Sequence, residues 1–168
     1  MNNDALLANR FALAYQDFDD ARRYLAVLHD LTCMNQGDQI GRYDDHREAA
    51  LTAAIVAYGR PFKNSYSDGN ASPKLNSNEL DSIQEAENAA LHDLLLDLRD
   101  KVVAHGDWKY RNTNLAAGSP GVVIRRISVP DIERGIDCDK FLNLVLSLKN
   151  EVLARSHTLD SAASKGAA

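Results

Sequence analysis

The chain reads as an all-α protein, a four- to five-helix up-and-down bundle with a small β-hairpin between the third and fourth main helices.

 

Three observations predict that class. The apolar residues Leu7, Phe11, Ala14, Phe18, Ala21, Leu25 and Leu28 recur at alternating spacings of four and three, which places them on one stripe of a long helix. The segment "REAALTAAIVAY", Arg47 to Tyr58, is apolar almost all round and rich in alanine. Phe141, Val145, Leu148 and Val152 repeat the helical stripe near the end of the chain. A chain of 168 residues, 45% of them apolar, can bury one core, so residues 1–156 are read as a single domain and 157–168 as a flexible tail.

The first helix carries Asp17, Asp19, Asp20, Arg22 and Arg23 on the side opposite its stripe, and so packs on one side only. The polar stretch "NQGDQIGRYDD" follows, punctuated by Gly37 and Gly41. The alanine-rich second helix suits the middle of a bundle, where small side chains let neighbours approach. It ends at "GRPF": Pro61 cannot continue a helix and biases Arg60 away from helical angles. The loop "KNSYSDGNASPKLNSN" is polar and long enough to carry function.

Asn78 is the expected N-cap of the third helix, with Glu79 and Asp81 in a first turn whose dipole favours negative charge. Leu80, Ile83, Ala90, Leu91, Leu94, Leu98 and Val102 form its buried stripe, and Gly106 stands where a left-handed residue closes a helix that runs to about Ala104. Alternation at Trp108 and Tyr110, a Gly/Ser/Pro turn and the β-branched run from Val122 to Val129 predict a hairpin-like segment over 107–130. The last helix starts near Asp139, and the small polar tail after it is expected to fray.

Composition narrows the function classes. Cys33 and Cys138 lie far apart without a metal-like spacing, and are read as reduced, buried thiols. The histidines His29, His46 and His157 show no ligand spacing, so no metal and no cofactor are expected. The start of the chain lacks a basic region followed by an apolar run, and no stretch approaches the roughly 20 apolar residues of a membrane span. The expected location is therefore cytoplasmic, with no membrane partner. The net charge of −5 conceals a segment from Arg99 to Arg126 that carries +4. A basic patch on an acidic body can still bind phosphate, because fields act within a Debye length of about 8 to 10 Å.

The stretch "LRDKVVAHGDW", Leu98 to Trp108, holds the candidate chemistry. On an ideal helix Arg99 and His105 point about 120° apart, so they converge only if the helix ends before the histidine or a second chain completes the site. An arginine and a histidine so placed suit RNA cleavage through the 2′-hydroxyl: the imidazole moves the proton and the guanidinium holds the phosphate. Spacing alone favours the plainer reading, cations set against a helix dipole. In "DWKYR", Trp108 and Tyr110 can stack bases while Lys109 and Arg111 contact phosphate, against the more common reading in which Trp108 packs the hairpin onto the bundle. Arg60 and Lys63 flank Pro61 and can bind phosphate near the motif, although an arginine there more often caps its own helix. His92 shares a helix face with Arg99 and reads as an ordinary polar position. Asp93, Asp97 and Asp100 read as a solvated face, with Asp97 and Lys101 an i, i+4 pair.

The stretch "LRDKVVAH", at the end of a leucine-rich third helix and after an alanine-rich second helix ending "AYGRPF", resembles the HEPN superfamily of prokaryotic toxin and defence proteins, in particular its abortive-infection-associated members. The family motif is an arginine, usually followed by a polar residue, and then a histidine; here these are Arg99, Asp100 and His105, with five residues between the arginine and the histidine. The likeness covers roughly residues 45–106. The resemblance implies a helical bundle, a homodimer in which two motifs face each other, and metal-independent endoribonuclease activity. His105 is then general base or acid, Arg99 the phosphate ligand and Asp100 the residue that orients one of them. Lys101, Trp108, Lys109, Tyr110, Arg111 and Arg60 are the implied RNA contacts, and a cognate antitoxin or regulatory protein is an implied partner. The alternative the family offers is a non-catalytic module binding RNA, a nucleotide or a protein. The segment between the third and fourth helices departs from the family pattern, being longer than a simple bundle needs.

Overall fold

The computed structural model describes residues 3–36, 41–63, 65–67, 70–72, 74–100 and 135–165. Five α-helices occur among them: α1 (Asn3–Met34), α2 (Asp44–Gly59), α3 (Asp81–Gln84), α4 (Ala86–Leu98) and α5 (Cys138–Lys165). The described residues are thus overwhelmingly helical, as the apolar periodicity requires. The expected hairpin over 107–130 lies outside them. A two-stranded antiparallel ribbon does occur elsewhere, in the loop after α2, where β1 (Ser65–Ser67) pairs with β2 (Asn70–Ser72).

The stripe of α1 is buried from Phe11 to Leu28, whereas Leu7 is 38% exposed. Two antiparallel neighbours flank this helix. Near its start Arg10 reaches the carbonyl of Arg60, and near its end Asn35 donates to Asp44 at 2.9 Å, so α2 runs back along it. On the other side Lys149 pairs with Asp19 at 2.6 Å, while the later turns around Leu25 and Leu28 face Cys138 and Leu142. α5 therefore also runs back along α1. Its stripe of Phe141, Leu144, Val145, Leu148 and Val152 is fully buried. The aromatic rings of Phe18, Tyr58, Phe62 and Phe141 meet where these helices converge, with Tyr58 5.6 Å from Phe62 and 5.4 Å from Phe141. Each such ring contributes roughly 1.5 to 3 kcal/mol by leaving water.

α2 begins earlier than its alanine pattern suggests. Gly41, at φ 84, makes the turn into it, and Asp44 and Asp45 occupy the first turn where the dipole favours them. Its end corrects the expectation at Arg60, which keeps helical angles of φ −57 and ψ −45 despite preceding Pro61. The chain continues as a 3-10 turn over Arg60–Phe62 before extending at Lys63. The Arg10 guanidinium donates to the carbonyls of both Arg60 and Pro61, which supplies the partners that the proline-interrupted helix end lacks.

The third helix is broken in two. Asn76, not Asn78, is the capping residue: its side chain accepts from the Asn78 amide at 3.2 Å and opens a 3-10 turn. Glu85 then leaves helical angles at φ −66 and ψ 133, separating α3 from α4. The break changes the phase of the buried stripe. Leu80 and Ile83 are buried as expected, but in α4 the buried positions are His92 and Leu95, Ala90 is exposed, and Leu91, Leu94 and Leu98 are half-buried. Glu151 of α5 explains the new start, since its carboxylate accepts from the amides of Asp81 at 2.9 Å and Ser82 at 3.0 Å.

α5 continues to Lys165, so residues 157–165, assigned to the tail on composition, are helical. The cysteines also depart from expectation. Cys33 is exposed and Cys138 only partly buried. No helix among the described residues is long and apolar enough to cross a membrane.

Candidate functional site

Arg99 follows the last residue of α4 and keeps helical angles, its amide shared between the carbonyls of Leu95 and Leu96. Its aliphatic stem lies against Gly59, the last residue of α2. A Cβ added there would stand 3.1 Å from both Cγ and Cδ of the arginine, so the glycine lets the stem lie closer than a side chain would without displacement. The guanidinium then meets its neighbour: Nη1 donates to Asp100 Oδ1 at 2.8 Å. Lys63, carried out of α2 by the 3-10 turn, donates from Nζ to the other oxygen, Oδ2. One carboxylate thus bridges two cations drawn from different helices.

The three side chains remain open to solvent, Arg99 at 26%, Lys63 at 33% and Asp100 at 40% exposure. Partial burial pushes the Asp100 carboxyl up, but the hydrogen bonds from Lys63 and Arg99 outweigh it and hold the group below the usual carboxylate range. Asp100 is therefore an ion-pair partner and not part of a solvated acidic face. Chemically, the cluster is a pair of charged donors spaced to grip two oxygens of one anion.

Arg60 does not join this cluster. Its guanidinium turns toward α1, 3.4 Å from Asp17 and 3.7 Å from Asp20, and the capping role expected of it falls to Arg10. Asp17 is raised by burial, against the opposing pull of Arg60. Arg10 is itself buried and lowered by desolvation, and its Nε has no hydrogen-bond partner among the described residues.

His92 is no solvent-facing polar position. It is buried, with Nδ1 2.7 Å from the Tyr58 hydroxyl and Nε2 2.9 Å from Ser77 Oγ, and its ring centroid lies 4.6 Å from that of Phe62. Burial lowers its pKa, helped by the charge of Lys63 and opposed by Asp93. Burial also pushes the Tyr58 phenol well above its ordinary value. The chain Tyr58–His92–Ser77 ties α2, α4 and the 3-10 turn before α3 into one unit beneath Lys63.

His105, Lys101, Trp108, Lys109, Tyr110 and Arg111 lie outside the described residues, as does Gly106. Of the expected site, the structure brings together Arg99, Asp100 and Lys63. Gly59 escaped sequence reasoning, because a glycine at the end of a helix reads first as a simple stop. A cavity of about 520 Å³ also went unforeseen; it lies between α1 and the start of α5, over Leu25, Leu28 and Leu142, with His29, Arg47 and Asp139 at its wall. None of the expected site residues lines it. No group of three potential metal ligands occurs among the described residues.

The fold and cluster define an all-α domain that presents a two-cation, carboxylate-bridged site at the junction of two helix ends. No protein-family model, curated protein or solved structure matches the chain.

Proposed function

We propose that the chain is a HEPN-like, metal-independent endoribonuclease of toxin or phage-defence type, acting as a cytoplasmic homodimer. The observation that carries this reading is the placement of Arg99 at the end of the leucine-rich helix: a partly exposed side chain whose stem is seated on Gly59 and whose guanidinium is oriented by Asp100. In this reading Arg99 binds the scissile phosphate and neutralises charge that builds on its oxygens in the transition state. His105 takes the proton of the 2′-hydroxyl, whose oxygen attacks the adjacent phosphorus. The P–O5′ bond breaks, and the leaving oxygen receives a proton from the imidazolium or from its counterpart in a second copy. The products are a 2′,3′-cyclic phosphate and a 5′-hydroxyl. The aromatic and basic residues Trp108, Lys109, Tyr110 and Arg111, with Lys101, supply the RNA-binding surface, and a neutralising antitoxin or regulatory protein is the natural partner of such an activity.

The experiment is cleavage of mixed cellular RNA by the purified chain and by Arg99→Ala and His105→Ala. The expected loss is about 100-fold or more for the histidine variant. RNA left intact by the wild-type chain, together with a cellular phenotype that neither substitution changes, overturns the reading in favour of a non-catalytic binding module.

A further inference from the structure

We infer that Lys63 is the second phosphate ligand of the site, and that Asp100 is the resident counter-ion which an incoming phosphodiester displaces. The inference rests on the reading of Arg99 as a phosphate ligand and adds to it the state of the site before substrate arrives. Asp100 orients the two cations in that state and leaves them when phosphate binds.

The geometry supports this in three ways. Asp100 uses its two oxygens separately, Oδ1 toward Arg99 and Oδ2 toward Lys63, as two non-bridging phosphate oxygens would. The cations have independent anchors: the arginine stem rests on Gly59, and Lys63 follows a turn whose Pro61 carbonyl receives the Leu75 amide at 2.8 Å. The backbones that carry both donors are therefore fixed independently of the carboxylate. Finally, the carboxylate is 40% exposed, so it can exchange its two partners for water without being stranded in a dry interior. Asp93 and Asp97 occur earlier on the same helix, so the cluster offers one anion position within an otherwise acidic stretch.

The test is binding of a fluorescein-labelled, ten-nucleotide RNA made uncleavable by 2′-O-methyl groups, followed by anisotropy with the full chain. Asp100→Asn removes the competing charge and is expected to tighten binding about tenfold, the cost of two exposed ion pairs. Adding Lys63→Gln to that variant abolishes most of the gain. A second measurement needs no substitution: at saturation with the RNA, the Asp100 carboxyl, followed by carbon NMR, titrates higher than in the free chain because it has lost its two cations. Binding by the wild-type chain that Asp100→Asn leaves unchanged or weakens, or an Asp100 titration that does not move, overturns the counter-ion role while the phosphate reading stands. Absence of binding by both the wild-type chain and Asp100→Asn overturns the two together.

Discussion

At the scale of single residues, Gly59 and His92 separate positioning from stability. Alanine at position 59 is favoured over glycine by helix propensity, by roughly 0.5 to 1 kcal/mol, but its Cβ would press on the arginine stem at 3.1 Å. That stem is flexible and can yield by a few tenths of an ångström. Gly59→Ala is therefore expected to hold or raise thermal stability while lowering RNA cleavage about tenfold through a displaced guanidinium; melting and cleavage assays on the same preparation check the split. His92→Phe keeps a ring in the core but strands the Tyr58 hydroxyl, and should cost roughly 1 to 3 kcal/mol in chemical denaturation. The histidine also sets a pH dependence. Its folded pKa lies below the ordinary 6.5, so the unfolded chain binds the proton first as pH falls. The contribution of neutral His92 is fully present above 6.5, declines below it, and levels off once pH passes the folded pKa. Denaturation midpoints measured from pH 8 to 5 should show this fall in the wild-type chain and a smaller one in His92→Phe.

At the scale of elements, long-range caps decide what local pattern leaves open. Glu151 accepts from the Asp81 and Ser82 amides and also pairs with Arg155 at 2.7 Å, so Glu151→Ala is expected to cost about 1 kcal/mol and to expose the amides of α3 to hydrogen exchange ahead of those of α5. Asp19 clamps α1 to α5: its hydrogen bond to Lys149 leads the causes that bring its pKa to about 2. Because that value lies below the ordinary 3.8, the stabilisation is present at neutral pH and fades as pH falls from about 4 toward 2. Asp19→Asn should flatten that limb of the acid denaturation curve. The stripes of α1 and α5 were legible because their periodicity and their burial coincide. The start of α3 at Asp81 was not, since the carboxylate that caps it comes from Glu151, far along the chain. The same holds for Arg10, which satisfies the end of α2 from fifty residues away in sequence. Lys63 was legible as a possible phosphate contact near the motif, on a par with Arg60; its meeting with Asp100, which Arg60 does not share, depends on how α2 and α4 end against one another.

At the scale of the whole molecule, the sequence from Arg99 to Arg126 carries +4 against a remainder of −9, and the proposed activity uses that contrast to draw RNA to one segment of the chain. Opposing copies of the motif are what the proposed activity needs, and light scattering is expected to give twice the chain mass at assay concentrations. The most direct test of the central claim is cleavage, in EDTA, of one RNA and of the same oligonucleotide carrying a single 2′-deoxy residue at the cut position. The account predicts that the RNA is cut to a 2′,3′-cyclic phosphate and a 5′-hydroxyl while the deoxy substrate stays whole at that position. Cutting both alike, or leaving both intact, would contradict it.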